Sequence, residues 1–338
     1  MRELAIKVIV DAFGGDNAPL EVIKGCERAV RELDVNIVLT GKEPEIKACA
    51  EKNGISLDGM EIVHTDDVFD IHEEPKKIIK AGKNSSMALG LSLLAEGKGD
   101  AFVSAGSTGA LVMGATFIVK RIKGIERIAP SPVMPGEKGS FTLIDAGANT
   151  MCRPEMFVQF AIMGSAYMEK VMGIKNPKVG LLNIGAEETK GRELEVAAYK
   201  LLESSGLNFV GNLEARDLPI GDVQVVVTDG FTGNIALKLY EGLGSFFGRK
   251  IKWFFSGAGK LGALFSLSKI KTFRKQMDYK EVGGSALLGV KKPVIKAHGS
   301  SDGTAFFNAV RQAKRCVEGN VAGVIESYVA KIESADKE

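Results

Sequence analysis

The sequence predicts a three-layer α/β/α fold built on a mainly parallel sheet, and two observations carry that expectation. Short β-branched runs alternate with stretches of helical periodicity along the whole 338-residue chain, the pattern of strands joined by crossover helices. Five apolar runs also end in small polar loops studded with glycine, as is common where parallel strands hand over to helices.

In chain order the expected strands are Ala5–Val10, Asn36–Thr40, Glu61–His64, Ala101–Ser104, Phe141–Ile144, Val179–Leu182, Phe209–Val210, Val223–Thr228 and Pro293–Ala297. Their apolar residues run almost unbroken, which suits strands covered on both faces. Between them lie helical spacings such as Val22, Ala29, Val30 and Leu33, or Met156, Phe157, Phe160, Met163, Tyr167 and Met168. The stretch Thr304–Ile332 reads as one or two long amphipathic helices that close the fold. No linker rich in proline or serine divides the chain and no internal repeat occurs. Residues 1–338 therefore read as a single α/β/α unit, or as two lobes around a cleft.

Composition excludes several classes. With 45% hydrophobic residues the chain can bury a large core, and a net charge of +2 offers no general polycation to nucleic acid. Cys26, Cys49, Cys152 and Cys316 are scattered without metal-ligand spacing and read as reduced thiols in a cytoplasmic protein. The apolar run at the amino terminus is too short for a signal peptide, and no run is long enough to span a membrane.

The five loops are Ser104-Ala-Gly-Ser-Thr-Gly109, Asp145-Ala-Gly-Ala-Asn149, Asn183-Ile-Gly-Ala-Glu-Glu-Thr-Lys-Gly191, Thr228-Asp-Gly-Phe-Thr-Gly-Asn234 and His298-Gly-Ser-Ser-Asp302. Glycine lets the backbone approach a ligand closely, while hydroxyls, amides and helix amino termini offer donors to an anion. Together they predict a site for a small anion, most simply phosphate. Ser107 and Thr108 either cap the helix that follows them or present hydroxyls to the anion. Asp11, in Asp11-Ala-Phe-Gly-Gly-Asp-Asn-Ala-Pro19, either orients a site group or caps its turn. Lys190, expected near a helix start, opposes the helix dipole unless an anion lies close. His298 can act as an acid, an oxyanion donor or a plain strand-end hydrogen bonder. Neither a dinucleotide fingerprint nor a phosphate-binding P-loop is present, and the nucleophile elbow of Ser-His-Asp hydrolases is absent too. No metal site is expected, although Asp145, Asp229 and Asp302 could share a cation.

One segment differs from the rest. Residues 242–277 contain eight basic residues and no acidic one, so the remainder of the chain carries a net charge of −6. Lys250, Trp253, Phe254, Phe255, Lys269, Lys271 and Arg274 lie there. A basic amphipathic segment with aromatics suits an anionic bilayer or an acidic protein; a dimer contact is the alternative. The segment is expected as an inserted, protruding helical element.

As an ordered set these motifs resemble the bacterial PlsX phosphate acyltransferases of phospholipid synthesis. The resemblance runs from Asp11–Pro19 through Ser104–Leu111, Asp145–Asn149, Gly180-Leu-Leu-Asn-Ile-Gly185, Lys190-Gly191 and Val227–Lys238 to Gly283-Gly284 and His298–Asp302. It departs from the family pattern at Phe13, at Ser107 and after Arg127. It implies a fold like phosphotransacetylase and isocitrate dehydrogenase. It also implies a homodimer that moves a long acyl chain from acyl carrier protein to inorganic phosphate. No cofactor is implied, and the enzyme would be cytoplasmic and peripherally attached to the inner face of the cell membrane. On that reading phosphate attacks the thioester directly. Lys190, Asn234, Ser107, Thr108, Ser300 and Asn149 are the expected phosphate ligands. His298 steadies the oxyanion or protonates the thiol, while Asp229 and Asp302 orient these groups. The competing enzyme is a short-chain phosphotransacetylase using coenzyme A. A related dehydrogenase and a non-catalytic scaffold for the carrier protein are the remaining readings.

Overall fold

The computed structural model describes residues 5–80, 84–254 and 283–335. In chain order come β1 (Ile6–Asp11), α1 (Leu20–Leu33), β2 (Val35–Gly41), α2 (Glu43–Asn53), β3 (Met60–His64), α3 (Lys77–Lys80), α4 (Ser86–Ala95), β4 (Ala101–Ser104) and α5 (Thr108–Gly114). Helix α5 continues into a π-helical turn, Ala115–Lys120. There follow β5 (Ala129–Met134), β6 (Phe141–Ile144), α6 (Pro154–Lys170), β7 (Val179–Asn183), α7 (Glu193–Glu203), β8 (Phe209–Glu214), β9 (Val225–Val227) and α8 (Gly230–Phe254). The last elements are β10 (Ser285–Leu288), β11 (Val294–Lys296), α9 (Gly303–Glu318) and α10 (Val321–Ala335).

The strands described form one sheet of eleven in the order β3-β2-β1-β4-β11-β10-β5-β6-β9-β7-β8. All nine expected strands occur. Those from β3 to β11 pair in parallel, and so do those from β6 to β8. Two strands that the periodicity did not reveal, β10 and β5, sit between these halves and pair antiparallel. Following directions across three antiparallel pairings, the two halves run opposite ways. The loops that follow the two halves therefore leave the sheet in opposite directions, while the shared row from Ser104 to Pro132 keeps the two sets a few residues apart along the strands.

Apolar burial explains the layering. One face of the sheet carries a continuous core in which Val8, Val103, Ile144 and Val227 meet residues of α1, α6, α9 and α10. The opposite face carries two separate cores. One joins Ile9 and Phe102 to α4 and α5; the other joins Phe141, Leu143 and Val226 to Ala236, Leu237 and Tyr240 of α8. Between those two cores, Ser104, Lys296, Ser285 and Pro132 follow one another as register partners across β4, β11, β10 and β5. Register partners project to the same face, so this row lies on the face that carries the two separate cores, between the one that includes α5 and the one that includes α8.

Helix α8 covers the beginning of the basic segment 242–277, of which residues 255–277 lie outside the described residues. It starts at Gly230, so residue 242 falls within a continuous helix. Its fully buried residues are Gly230 and Gly233, and Phe231, Ile235, Leu239, Leu243, Phe246 and Phe247 are exposed. Trp253 and Phe254 are each 70% exposed. Lys250 Nζ lies 5.7 Å from the Phe246 ring and 5.6 Å from the Trp253 ring, which folds its cation onto aromatic faces. Phe255, Lys269, Lys271 and Arg274 lie outside the described residues.

Candidate active site

Hydrogen bonds gather the polar loops into two sets, one on each half of the sheet. The first set unites the loops after β1, β4 and β11. Ser104 Oγ donates to the buried Asp11 carboxylate at 2.7 Å and accepts the Gly106 N–H at 3.0 Å. Asp16 N–H donates to Gly299 O at 2.8 Å, and Asn17 Nδ2 reaches Ser301 O at 3.4 Å. Gly15 has a φ of +101°, and a Cβ there would stand 2.9 Å from both Ala105 Cβ and Gly299 O. Only glycine allows the three loops to close so tightly. Burial raises the Asp11 carboxyl above its ordinary range, against the hydrogen bonds it accepts.

Within this set His298 and Ser300 are exposed. His298 Nδ1 contacts Ser300 Oγ at 2.9 Å and accepts the Ser300 N–H at 3.3 Å. A backbone N–H can only donate, so the neutral ring carries its proton on Nε2 and presents a donor there. Asp302 caps α9, its Oδ1 accepting Ala305 N–H at 3.0 Å. Ser107 is the N-cap of α5, its Oγ 3.4 Å from Ala110 N, and the exposed Thr108 begins that helix. Capping is thus part of what Ser107 and Asp302 do.

The second set unites the loops after β6, β7 and β9. Asp145 accepts N–H groups from Gly147, Ala148 and Asn149 at 2.8, 2.9 and 2.7 Å. Burial raises this carboxyl above the ordinary range, against those bonds. Asn149 spends both amide hydrogens, on Ile128 O at 2.9 Å and Asp145 Oδ2 at 2.8 Å. Both of its amide hydrogens thus point to protein oxygens rather than outward. Its backbone O accepts Gly230 N–H at 2.7 Å, which fixes the start of α8. A Cβ on Gly147 would stand 3.4 Å from the side chain of Asn234, so that exposed amide lies directly over the Asp145 loop.

Asp229 Oδ1 accepts the N–H groups of Phe231 and Thr232, each at 2.9 Å, and so caps α8. Its Oδ2 accepts Arg192 Nη2 at 2.6 Å and Thr232 Oγ1 at 3.0 Å. Burial pushes this carboxyl up, but the donors from Thr232 and Arg192 outweigh it and hold the group below its usual range. Arg192 also pairs with Glu195, and it was not among the expected site residues. The spacing Arg192-Glu-Leu-Glu195 was the available signal: Glu195 accepts the Arg192 N–H at 2.8 Å in a capping box that opens α7. Lys190 precedes that cap by two residues. It is about half exposed, and its Nζ stands 3.9 Å from Glu187, which supplies a carboxylate to a lysine expected to need an anion.

Asp145 and Asp302 belong to different sets, so the three aspartates do not share a cation. Among the described residues no group of three or more His, Cys, Asp or Glu is arranged to hold a metal. The two sets are linked through α8. Lys238 stands one turn beyond Asn234, and its charge bears on Lys296 at the end of β11. Helix α8 thus runs from the second set toward the first.

The architecture belongs to the phosphotransacetylase class of α/β folds. A phosphotransacetylase from Streptococcus pyogenes superposes with a TM-score of 0.65 at 19% identity, covering 92% of this chain and 94% of that one. The EutD phosphotransacetylase from Staphylococcus aureus gives 0.63 at 18% identity with the same coverage. The chain itself belongs to the fatty acid synthesis protein family, whose model matches residues 6–324. Its relatives include the phosphate acyltransferase of Clostridium botulinum (strain Loch Maree / Type A3), 48% identical over 328 residues that cover 96% of this chain and 98% of that protein. The phosphate acyltransferase of Clostridium acetobutylicum is likewise 48% identical, with 96% and 99% covered.

Proposed function

We propose that the protein is a phosphate acyltransferase that moves a long acyl chain from acyl carrier protein to inorganic phosphate, releasing acyl phosphate and the carrier thiol. The observation that carries this reading is near full-length similarity to phosphate acyltransferases, joined to two donor-rich loop sets connected by α8. A phosphate oxygen attacks the thioester carbonyl carbon, the C–S bond breaks, and the thiolate leaves and takes up a proton. Phosphate is already anionic at neutral pH, so the protein's work is to orient it, strip its water and offset the developing oxyanion. Ser107, Thr108 and Ser300 offer hydroxyls from the first set, while Asn234 and Lys190 offer an amide and a cation from the second. His298 presents Nε2–H to the oxyanion. No covalent acyl-enzyme is needed.

The test incubates the enzyme with long-chain acyl carrier protein, with and without phosphate, and traps acyl phosphate as hydroxamate. Phosphate-dependent hydroxamate together with free thiol is expected. Preference for short-chain acyl coenzyme A would transfer the assignment to a phosphotransacetylase. Lys190→Ala should raise the phosphate KM about 10- to 100-fold, the loss of one charge-assisted hydrogen bond. An unchanged KM removes Lys190 from the site.

The same reading places the protein in the cytoplasm as a homodimer on the inner face of the membrane. Support comes from the exposed apolar side of α8 and from Trp253 and Phe254 at its end. Among the described residues no helix is long and apolar enough to cross a membrane. The double change Trp253→Glu and Phe254→Glu should abolish flotation with anionic vesicles while soluble turnover stays within about twofold, because membrane affinity follows buried apolar area. Undiminished flotation would argue against this membrane contact.

A further inference from the structure

The row between the two separate cores contains a cation and a hydroxyl that the scheme above leaves unused. Lys296 ends β11, where its register partners are Ser104 on β4 and Ser285 on β10. The lysine rises from an otherwise apolar strand, after Val294 and Ile295. Its Nζ donates to Ala105 O at 3.3 Å and to Ala297 O. Those carbonyls stand just ahead of Ser107 and His298 in their loops, so one ammonium ties the two loops together. An ammonium has three N–H groups, which leaves one for a ligand. Next to it, Ser285 Oγ is buried and has no hydrogen-bond partner among the described residues. A buried hydroxyl without a partner is a donor awaiting an acceptor.

The charges around Lys296 are of both signs. Asp11 faces it from the end of β1, Asp16 from the loop that follows, and Lys238 from α8, while His298 follows two residues later on its own loop. Burial, reinforced by Lys238 and opposed by Asp16 and Asp11, pushes the Lys296 ammonium down to about 8. Burial and Lys238 outweigh the two carboxylates, so an anion placed beside the Lys296 ammonium would stabilise it further.

We propose that Lys296 and Ser285 form the floor of the phosphate site, the lysine as its fixed cation and as the tie between the Ser107 and His298 loops, the serine as a neutral donor. This rests on the reading that phosphate is the acyl acceptor. It adds a cation fixed in the sheet to the exposed Lys190.

The experiment measures the phosphate KM, and the rise in melting temperature on adding phosphate, at pH 8.0 and 9.5, where inorganic phosphate stays dianionic. Wild type is compared with Lys296→Arg, Lys296→Met and Ser285→Ala, each checked for a native circular dichroism spectrum. If only the charged lysine binds, the competent fraction falls from one half to about 3% over this range, so the wild-type KM should rise about 15-fold. Lys296→Arg should flatten that rise, because arginine stays charged. Lys296→Met should begin about 10- to 100-fold weaker at pH 8.0 and show no further rise. Ser285→Ala should weaken phosphate binding by a smaller factor and keep the pH profile. A flat wild-type profile, or an unchanged KM in folded Lys296→Met, overturns the inference. If Lys296→Met does not fold, the wild-type profile and Lys296→Arg still decide. Absence of acyl phosphate from wild type would sink the wider reading instead, and a phosphate-induced rise in melting temperature with the same pH profile would leave the floor site standing.

Discussion

His298→Ala is expected to lower kcat about 100- to 1000-fold, the scale on which removal of one oxyanion donor acts. The exposed imidazole is oriented by Ser300, whose N–H and Oγ both meet Nδ1. That contact places the neutral ring's proton on Nε2, the donor that the proposed reading assigns to the oxyanion. The KM for the acyl carrier should change little, because an interaction that strengthens only in the transition state acts on kcat. His298→Gln tests the same point, since its amide can donate where the imidazole did and should recover part of the rate. If His298→Ala retains kcat within about threefold of wild type, the histidine is a strand-end hydrogen bonder and the oxyanion donor lies elsewhere.

Gly233→Ala should be the most destructive small substitution at the site. Gly233 is buried in the first turn of α8, and a Cβ there would lie 1.9 Å from the Asp145 carbonyl oxygen and 2.9 Å from Thr228 Cγ2. Both neighbours are pinned. Asp145 N–H donates to Thr228 O at 3.1 Å, and its carboxylate is held by three backbone N–H groups of its own loop. Relief therefore requires α8 to move away from the Asp145 loop. The expected loss is about 3 kcal/mol or more, at the upper end of overpacking costs, and phosphate affinity should fall with it because Asn234 is the next residue. Gly242→Ala is the control: a Cβ there meets nothing within 4 Å, so melting temperature should hold or rise slightly, as expected for alanine in a helix. Equal melting temperatures for Gly233→Ala and wild type would show that the close approach does not constrain the site.

Particular residues show how far the sequence could be read. The nine expected strands stood out because short runs such as Val8–Val10 and Val225–Val227 are wholly β-branched, a local property. β5 escaped because Pro130 and Pro132 interrupt it, and proline cannot donate to a ladder. β10, Ser-Ala-Leu-Leu, is short and has no β-branched residue. Missing these two meant missing the reversal of direction at the centre of the sheet, and with it the division of the loops into two sets. The loops themselves were legible from glycine, serine and aspartate spaced within a few residues. The amide hydrogens of Asn149 go to Ile128, a residue far along the chain, and to Asp145, an arrangement that no local pattern announces. Arg192, Lys296 and Ser285 were overlooked because their partners Asp229, Ala105 and the neighbouring strand arrive only through folding.

By itself the sequence determined the alternating elements, the composition of the polar loops, the concentration of basic residues in 242–277 and the likeness to phosphate acyltransferases, all of which depend on residues near one another along the chain. Tertiary structure alone decided which loops meet, that α8 joins the two sets, and that a lysine lies beside a hydroxyl with no partner among the described residues. The physical reason is that strand direction, cross-strand register and burial are set by pairings between distant segments, and those pairings determine which charges lose water and which donors are left to a ligand.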